Sequence, residues 1–255
     1  MDGLDAFQRN WTGLFEVLPR YRPAARFWRE DGASMALTGV AIATFNGVLL
    51  PDEYSLTPER FSRFAEPFVS ARVPFSFQVC SQNERPACDP LFRSQGYTDI
   101  FVDPVMICTG PLAATRRNPD VRVREVILPE DRQRFRRIVI EGFDLPPGVT
   151  EDFFDQLLDI QEAHQMIGLV DGKPVGTGLL LYLAGVASIF NVATLPAYRQ
   201  RGVATAIMAA LHSQALDDGY HATVLTSSQM GLSLYQHLGY RRVGYQSGYA
   251  PIGMM

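Results

Sequence analysis

The stretch from Asn191 to Thr205, NVATLPAYRQRGVAT, holds the residues whose types and spacing best suit chemistry. A β-branched run ends near Pro196, and Arg199-x-x-Gly202-x-Ala204 leads into an apolar-periodic segment. Small residues at 202 and 204 let backbone N–H groups point outward with no side chain in the way. A helix starting there leaves its first N–H groups unpaired, at the positive end of the helix dipole. Together these features predict a pyrophosphate cradle, with Arg199 and Arg201 adding charge-assisted contacts. The G-K-[ST] element of a nucleotide P-loop is absent, and so is the G-x-G-x-x-G of dinucleotide folds.

The surrounding pattern predicts the elements that carry this turn. Pro129-Glu130-Asp131 opens a helix with Phe135, Ile138 and Val139 on one face. A second helix follows the loop Gly142–Gly148, with Thr150 as N-cap, Glu151 and Asp152 in its first turn, and Phe153, Phe154, Leu157 and Leu158 apolar. Gln165–Val170 and Pro174–Leu183 flank Asp171-Gly172, a two-residue hairpin signal. A third strand, about 187–193, follows the Ala184-Gly185 turn. The uncharged run 174–198 is long enough to span a bilayer, but Gly176, Gly178, Gly185 and Pro196 and its β-branched content favour two buried strands. Beyond the turn, Ala204, Ile207, Met208, Leu211 and Ala215 share one helix face, and Gly219 closes it. A strand at Ala222–Thr226, a helix from about Met230 to Leu238 and a strand from Tyr240 complete the part. The order implies helices on a mixed, mostly antiparallel sheet, an α/β (α+β) fold.

The first part echoes the second at an offset near 145. Phe45-Asn46-x-Val48 resembles Phe190-Asn191-Val192, the helix after Thr57-Pro58-Glu59 matches the one after residue 203, and Phe75–Val79 falls where Tyr220–Val224 falls. Leu91-Phe92-x-x-x-Gly96-Tyr97 mirrors Leu234-Tyr235-x-x-x-Gly239-Tyr240. The Gly- and Pro-containing segment 110–120 reads as a linker, giving domains 1–115 and 116–255.

V-A-T-L-P-A-Y-R-Q-R-G-V-A-T and S-S-Q-M-G-L-S-L-Y-Q-H-L-G-Y resemble the GNAT family of acyl-CoA-dependent N-acetyltransferases over about residues 121–248. The whole chain is similar to tandem GNAT proteins with a degenerate N-terminal half. This resemblance implies that acetyl-CoA is the cosubstrate, and that a primary amine, on a small molecule or a protein, is the acceptor. It implies that the backbone of Val192, Ala193 and Thr194 pairs with the pantetheine arm. Gln200, Arg201, Gly202, Val203, Ala204 and Thr205 would hold the pyrophosphate. Ser228 stands where many relatives have a cofactor-touching asparagine. Tyr235 stands at the general acid, where a phenol can protonate the departing thiolate. Where relatives carry a base, this chain has Ser188 and Phe190. Glu141, Asp144, His164 and His237 are substitutes, and a water relay is the default. Backbone N–H groups near Ala193 are candidate oxyanion donors. A non-catalytic acyl-CoA-binding module remains the alternative.

The first part has Leu49-Leu50-Pro51-Asp52-Glu53 where the turn should stand, and Phe92 in place of the tyrosine. It is therefore expected neither to bind CoA nor to catalyse. Trp11, Trp28, Tyr21 and Phe27 are expected in its core, and Arg132, Arg134, Arg136 and Arg137 on a solvated helix face.

Composition sets the outer bounds. With 255 residues, 47% apolar, 20% charged and a net charge of −4, the chain is not disordered, collagen-like, nucleic-acid-binding or membrane-surface in character. Only Lys173 of the 23 basic residues is lysine, which reads as codon bias before any preference for bidentate contacts. Cys80, Cys88 and Cys108 fit no zinc spacing and no disulfide framework. The acidic, polar N-terminus is not a secretory signal, so a cytoplasmic protein with no metal is expected.

Overall fold

A computed structural model describes residues 2–51, 54–114, 118–145 and 156–253. Asp52, Glu53, Thr115, Thr150, Glu151, Asp152, Phe153 and Phe154, which carry some of the sequence expectations, lie outside them. Two compact units form: Met1–Val105 with Arg242–Met255, and Met106–Arg241.

In the first unit, helix α1 (Gly3–Val17) opens on the Asp2 carboxylate, which accepts from the Leu4 N–H at 2.9 Å. Leu4, Phe7, Trp11, Leu14 and Phe15 recur at helical spacing and are buried. Strand β2 (Ala33–Leu37) runs antiparallel to both β1 (Arg26–Glu30) and β3 (Gly47–Leu50), and α2 (Pro58–Ala71) leads to β4 (Ser76–Ser81), parallel to β3. Then come α3 (Asp89–Ser94) and β5 (Tyr97–Thr109). The core is an aromatic stack: Phe61 lies 4.9 Å from Phe77, and Phe92 lies 4.4 Å from Tyr249, between centroids. Of the four aromatics expected in this core, only Trp11 is buried. Trp28 is half-buried, stacked on Phe68 at 6.0 Å, and Tyr21 and Phe27 keep one side open.

In the second unit, β6 (Val121–Glu125) is an edge strand that the sequence reading did not anticipate: V-R-V-R alternates, but over only five residues directly after the linker-like segment 110–120. Helix α4 (Pro129–Gly142) begins on its proline and buries Phe135, Ile138 and Val139. Strands β7 (Ala163–Val170), β8 (Lys173–Leu183) and β9 (Val186–Thr194) form an antiparallel meander. Asp171-Gly172 and Ala184-Gly185 turn with φ of 51° and 73°, and 51° and 72°, as two-residue hairpins of this twist require. The uncharged run is thus a hairpin, and no helix among the described residues is long and apolar enough to cross a membrane. Helix α5 (Val203–Asp217), β10 (Ala222–Thr226) and α6 (Leu232–His237) follow, and the chain then returns to the first unit as β11 (Arg241–Pro251). Both α5 and α6 end in the same cap. Tyr220 N–H bonds to Ala215 C=O at 2.9 Å and Tyr240 N–H to Tyr235 C=O at 2.9 Å, with Gly219 and Gly239 left-handed between.

The order β1-β2-β3-α2-β4-α3-β5 is repeated as β7-β8-β9-α5-β10-α6-β11, which is the duplicated, mixed and mostly antiparallel architecture expected. The two repeats exchange their ends. β11 pairs antiparallel with β4 in the first unit, from Tyr245↔Ser81 to Tyr249↔Phe77. Met106 and Cys108 at the end of β5 are buried in the core of the second. The compact units therefore interleave along the chain, where a division at residue 115 takes each half whole.

Candidate functional site

The candidate site begins with a defect in β9. From Val186 to Phe190 this strand pairs regularly with β8, as Leu183↔Val186 through Leu179↔Phe190. The register then shifts, and pairing resumes at Thr177↔Ala193 and Gly176↔Thr194. Asn191 takes up the extra residue at φ 52°, and its C=O accepts from Thr177 Oγ1 at 2.9 Å. Such a bulge bends the strand and re-aims it. On its other side β9 pairs with the parallel β10 only at Ala187↔Thr223 and Ser188↔Val224. Past Ser188 the two strands fork, and among the described residues Val192, Ala193 and Thr194 have no ladder partner on the β10 side. An open parallel edge of this kind presents N–H and C=O groups to an extended guest.

The first unit shows the same junction closed. There β3 and β4 pair at four positions, from Gly47↔Ser76 to Leu50↔Val79. Asn46, the repeat counterpart of Asn191, spends its side chain on the loop around it. Its Oδ1 accepts from the N–H groups of Thr38 and Gly39 at 2.9 and 3.0 Å, and its Nδ2 donates to Val40 and Pro74 C=O at 2.7 and 2.9 Å. No gap is left between the strands there for a guest.

Past Thr194, Leu195 N–H returns to Val175 C=O at 2.9 Å, and Pro196–Tyr198 make one 3₁₀ turn. Gln200 and Gly202 both take left-handed conformations, φ 60° and 78°, and Gly202 is the residue on which α5 begins. The first backbone bond of the helix runs from Ala206 N–H to Gly202 C=O at 3.1 Å. No side chain caps α5 and no acidic residue stands in its first turn, so the N–H groups of Val203, Ala204 and Thr205 face outward at the dipole's positive end. Asn118 holds the turn from outside, its Nδ2 donating to Arg201 C=O at 2.9 Å.

Helix α5 can stand there because three glycines pave the sheet beneath it. A Cβ on Gly168, Gly176 or Gly178 would come within 2.9, 2.5 and 2.6 Å of Val203, Ile207 or Leu211 atoms. Val203 and Ile207 are buried at 2% and 0% exposure, while Ala204, expected on the apolar face, is only half-buried.

The two arginines differ. Arg201 is exposed, its guanidinium 5.4 Å from the Tyr198 ring centroid. Arg199, expected to reach phosphate, is committed to backbone. Its Nε donates to Thr194 C=O and its Nη2 to Gly142 C=O, both at 3.2 Å. The sequence reading missed this role, because Gly142 is remote in sequence and carries no side chain to signal it.

Tyr235 is buried, in the same core cluster as Val203 and Ile207. Its ring lies so close to Gly231 that a Cβ there would stand 2.8 Å from Tyr235 Cε2, and Tyr240 meets it edge-on at 5.9 Å. Burial pushes the phenol up to about 12. Its hydroxyl makes no hydrogen bond to a described residue. Ser228 is exposed, and its Oγ accepts from Gly231 N–H at 3.3 Å, so its polar atom is partly used by the turn before α6.

The expected base positions hold no base. Ser188 is fully buried with an unpartnered Oγ, and Thr194 Oγ1 is likewise buried without a partner. Glu141 and Asp144 are exposed at the end of α4, whose Gly142 rests against Ala193. His164 sits across from Glu125 at 3.3 Å, and His237 is exposed on α6, bonded to Ser233 C=O. The arginines of α4 are less idle than expected: Arg132 pairs with Asp159 at 2.6 Å and Arg134 with Asp131 at 2.9 Å, while Arg137 is exposed.

One buried polar chain escaped the sequence reading. His212 on α5 is 1% exposed, with Nε2 2.7 Å from Gly110 C=O and Nδ1 2.8 Å from Thr223 Oγ1. Tyr240 OH also reaches Thr223 Oγ1, at 2.5 Å. A carbonyl can only accept, so Nε2 carries the proton and Nδ1 accepts from Thr223. All three cysteines are buried thiols outside any disulfide, and burial pushes the Cys108 thiol up. Among the described residues no cluster of ligating side chains could hold a metal ion.

Residues 132–240 match the model of the acetyltransferase (GNAT) family. Solved structures with the same fold include a GCN5-related N-acetyltransferase from Kribbella flavida, at 17% identity, covering 96% of this chain and 95% of that one with a TM-score of 0.74. A GCN5-related N-acetyltransferase from Sphaerobacter thermophilus is 16% identical over 96% and 90% of the two chains, TM-score 0.64. A conserved protein of unknown function from Staphylococcus epidermidis is 14% identical over 89% and 93%, TM-score 0.66. These likenesses run through both repeats and establish two GNAT-like folds in one chain. No curated protein sequence matches it.

Proposed function

We propose that the chain is an acetyl-CoA-dependent N-acetyltransferase acting on a primary amine by direct attack. The observation that carries this reading is the pairing of an unladdered β9 edge with an uncapped α5 start, joined by a single turn. The residues fit the cosubstrate. The edge at Val192, Ala193 and Thr194 suits the amide-bearing pantetheine arm, and the turn from Gln200 to Thr205 suits a pyrophosphate. Arg201 can add charge at the mouth, and Ser228 offers a hydroxyl beside α6. Acetyl-CoA, once bound, supplies an acyl group activated as a thioester.

Tyr235 keeps its proton at neutral pH and so can donate it to the departing sulfur. Backbone N–H groups near Ala193 stabilise the oxyanion. With no carboxylate or imidazole at Ser188 or Phe190, the amine's proton passes to water. The buried thiols support attack without an acyl-enzyme. The C-terminal half, 116–255, is the catalytic one. The closed β3–β4 junction leaves the half 1–115 a degenerate partner. We place the protein in the cytoplasm.

A second reading, a non-catalytic acyl-CoA binder, is favoured by the missing base alone. Free-thiol release from acetyl-CoA across an amine panel separates the two. Amine-dependent release, lowered in Tyr235→Phe, supports the enzyme. Coenzyme A binding with no release under any condition leaves the binding module standing.

A further inference from the structure

Arg199 opens the anion-binding turn, yet two of its five N–H donors point away from any guest, into the backbone of β9 and α4. The helix it serves lacks a local alternative, since the last turn of α4 holds no basic residue. A guanidinium at a helix C-terminus satisfies an orphan carbonyl and meets the negative end of the dipole. The contact is tight: at Gly142 a Cβ would lie 2.8 Å from Ala193 Cβ and 3.8 Å from Thr194 N. Immediately beyond stand Phe143, 47% exposed, and Asp144, exposed and left-handed at φ 53°. Glu141, just before Gly142, is exposed as well.

We propose that Arg199 is a positioning residue that couples the anion-binding turn to the exit of α4. A donor held at the turn then also fixes residues 141–145, which this proposal assigns to the amine's site. The inference rests on the acyl-CoA reading and adds to it a route by which one substrate prepares the site of the other. The backbone N–H groups of the turn hold the anion, and Arg199 ties that turn to α4 through the two carbonyls it binds. Coupling of this kind is reciprocal, so the amine should in turn tighten the hold on the donor.

Arg199→Gln and Arg199→Lys in the full chain test this with coenzyme A as the probe. Amide exchange of Glu141–Leu145 is measured with and without it, beside calorimetric binding and steady-state kinetics. In the wild type, coenzyme A should slow exchange at these amides by about five-fold or more. In Arg199→Gln the slowing should vanish and the amine KM should rise, while coenzyme A binds within about three-fold of the wild type. Arg199→Lys keeps the charge but not the fork-shaped donor set, and should fall between them. The inference is overturned if Arg199→Gln weakens coenzyme A by about ten-fold or more with exchange and amine KM unmoved, for Arg199 is then a phosphate ligand. It is equally overturned if wild-type exchange ignores coenzyme A. The exchange arm needs no amine, so a chain that binds coenzyme A but never releases thiol refutes the transferase reading while the coupling is judged separately.

Discussion

Gly176 on β8 and Val203 at the start of α5 are in such close contact that a Cβ on Gly176 would stand 2.5 Å from Val203 Cγ1 and 3.2 Å from Ala193 C=O. The glycine therefore sets the height at which the α5 N-terminus hangs over the end of β9. Gly176→Ala should cost about 1–3 kcal/mol by overpacking. It should also lift the anion-binding N–H groups away from the β9 edge, and so weaken coenzyme A binding more than it slows turnover. Gly172→Ala, in the open hairpin turn, is the control that strains backbone without touching α5. Thermal melts and calorimetric titration of both variants check this.

Tyr235 has a phenol pushed up to about 12 by burial. Its protonated form should persist well above the ordinary tyrosine range, so the alkaline limb of kcat should not fall near pH ~10. Tyr235→Phe should lower kcat by about 10²-fold or more with coenzyme A affinity little changed. A kcat profile that drops near pH ~10, or a phenylalanine variant as fast as the wild type, would count against the acid role.

His212 is buried neutral, its pKa lowered by desolvation, while both ring nitrogens are occupied. Below about pH 6.5 the unfolded chain binds a proton that the folded chain refuses. Stability should then fall by up to about 1.4 kcal/mol per pH unit until the folded pKa is reached. His212→Gln can keep one donor and one acceptor and should flatten that part of the curve. Urea unfolding between pH 5 and 7 measures the difference.

Asn46 ties Thr38, Gly39, Val40 and Pro74 together in the first unit. Asn46→Ala leaves several buried partners unsatisfied and should cost about 3 kcal/mol or more. If β3 and β4 are zipped for stability alone, coenzyme A binding should not change. Denaturant unfolding beside a binding titration reads both.

Much of the site was legible from sequence because its causes are local. Gly202 must be left-handed to start α5 after a reversed turn, and Asp171-Gly172 and Ala184-Gly185 must close hairpins, whatever lies elsewhere in the chain. Pro129 followed by two acidic residues favours a helix start, and apolar residues at 203, 207, 211 and 215 fall on one helix face. The turn R-x-x-G-x-A thus announced its own conformation, and the repeated order of elements announced a duplicated fold. The alternation V-R-V-R of β6 is easily overlooked, since five residues with two apolar positions are a weak signal beside a linker.

What the tertiary structure decided is pairing between residues far apart. No window of sequence shows that β10 leaves β9 after Ser188, since the fork depends on the bulge at Asn191 and on how α5 seats on three glycines from other strands. None shows that Arg199 turns back to Gly142, or that His212 bonds to Gly110, because backbone carbonyls are the same in every residue and carry no signature. The placement of β11 beside β4 is decided in the same way, by which edges remain free once the rest has folded. Local chemistry determined the shape of the turn, and only long-range packing determined what stands around it.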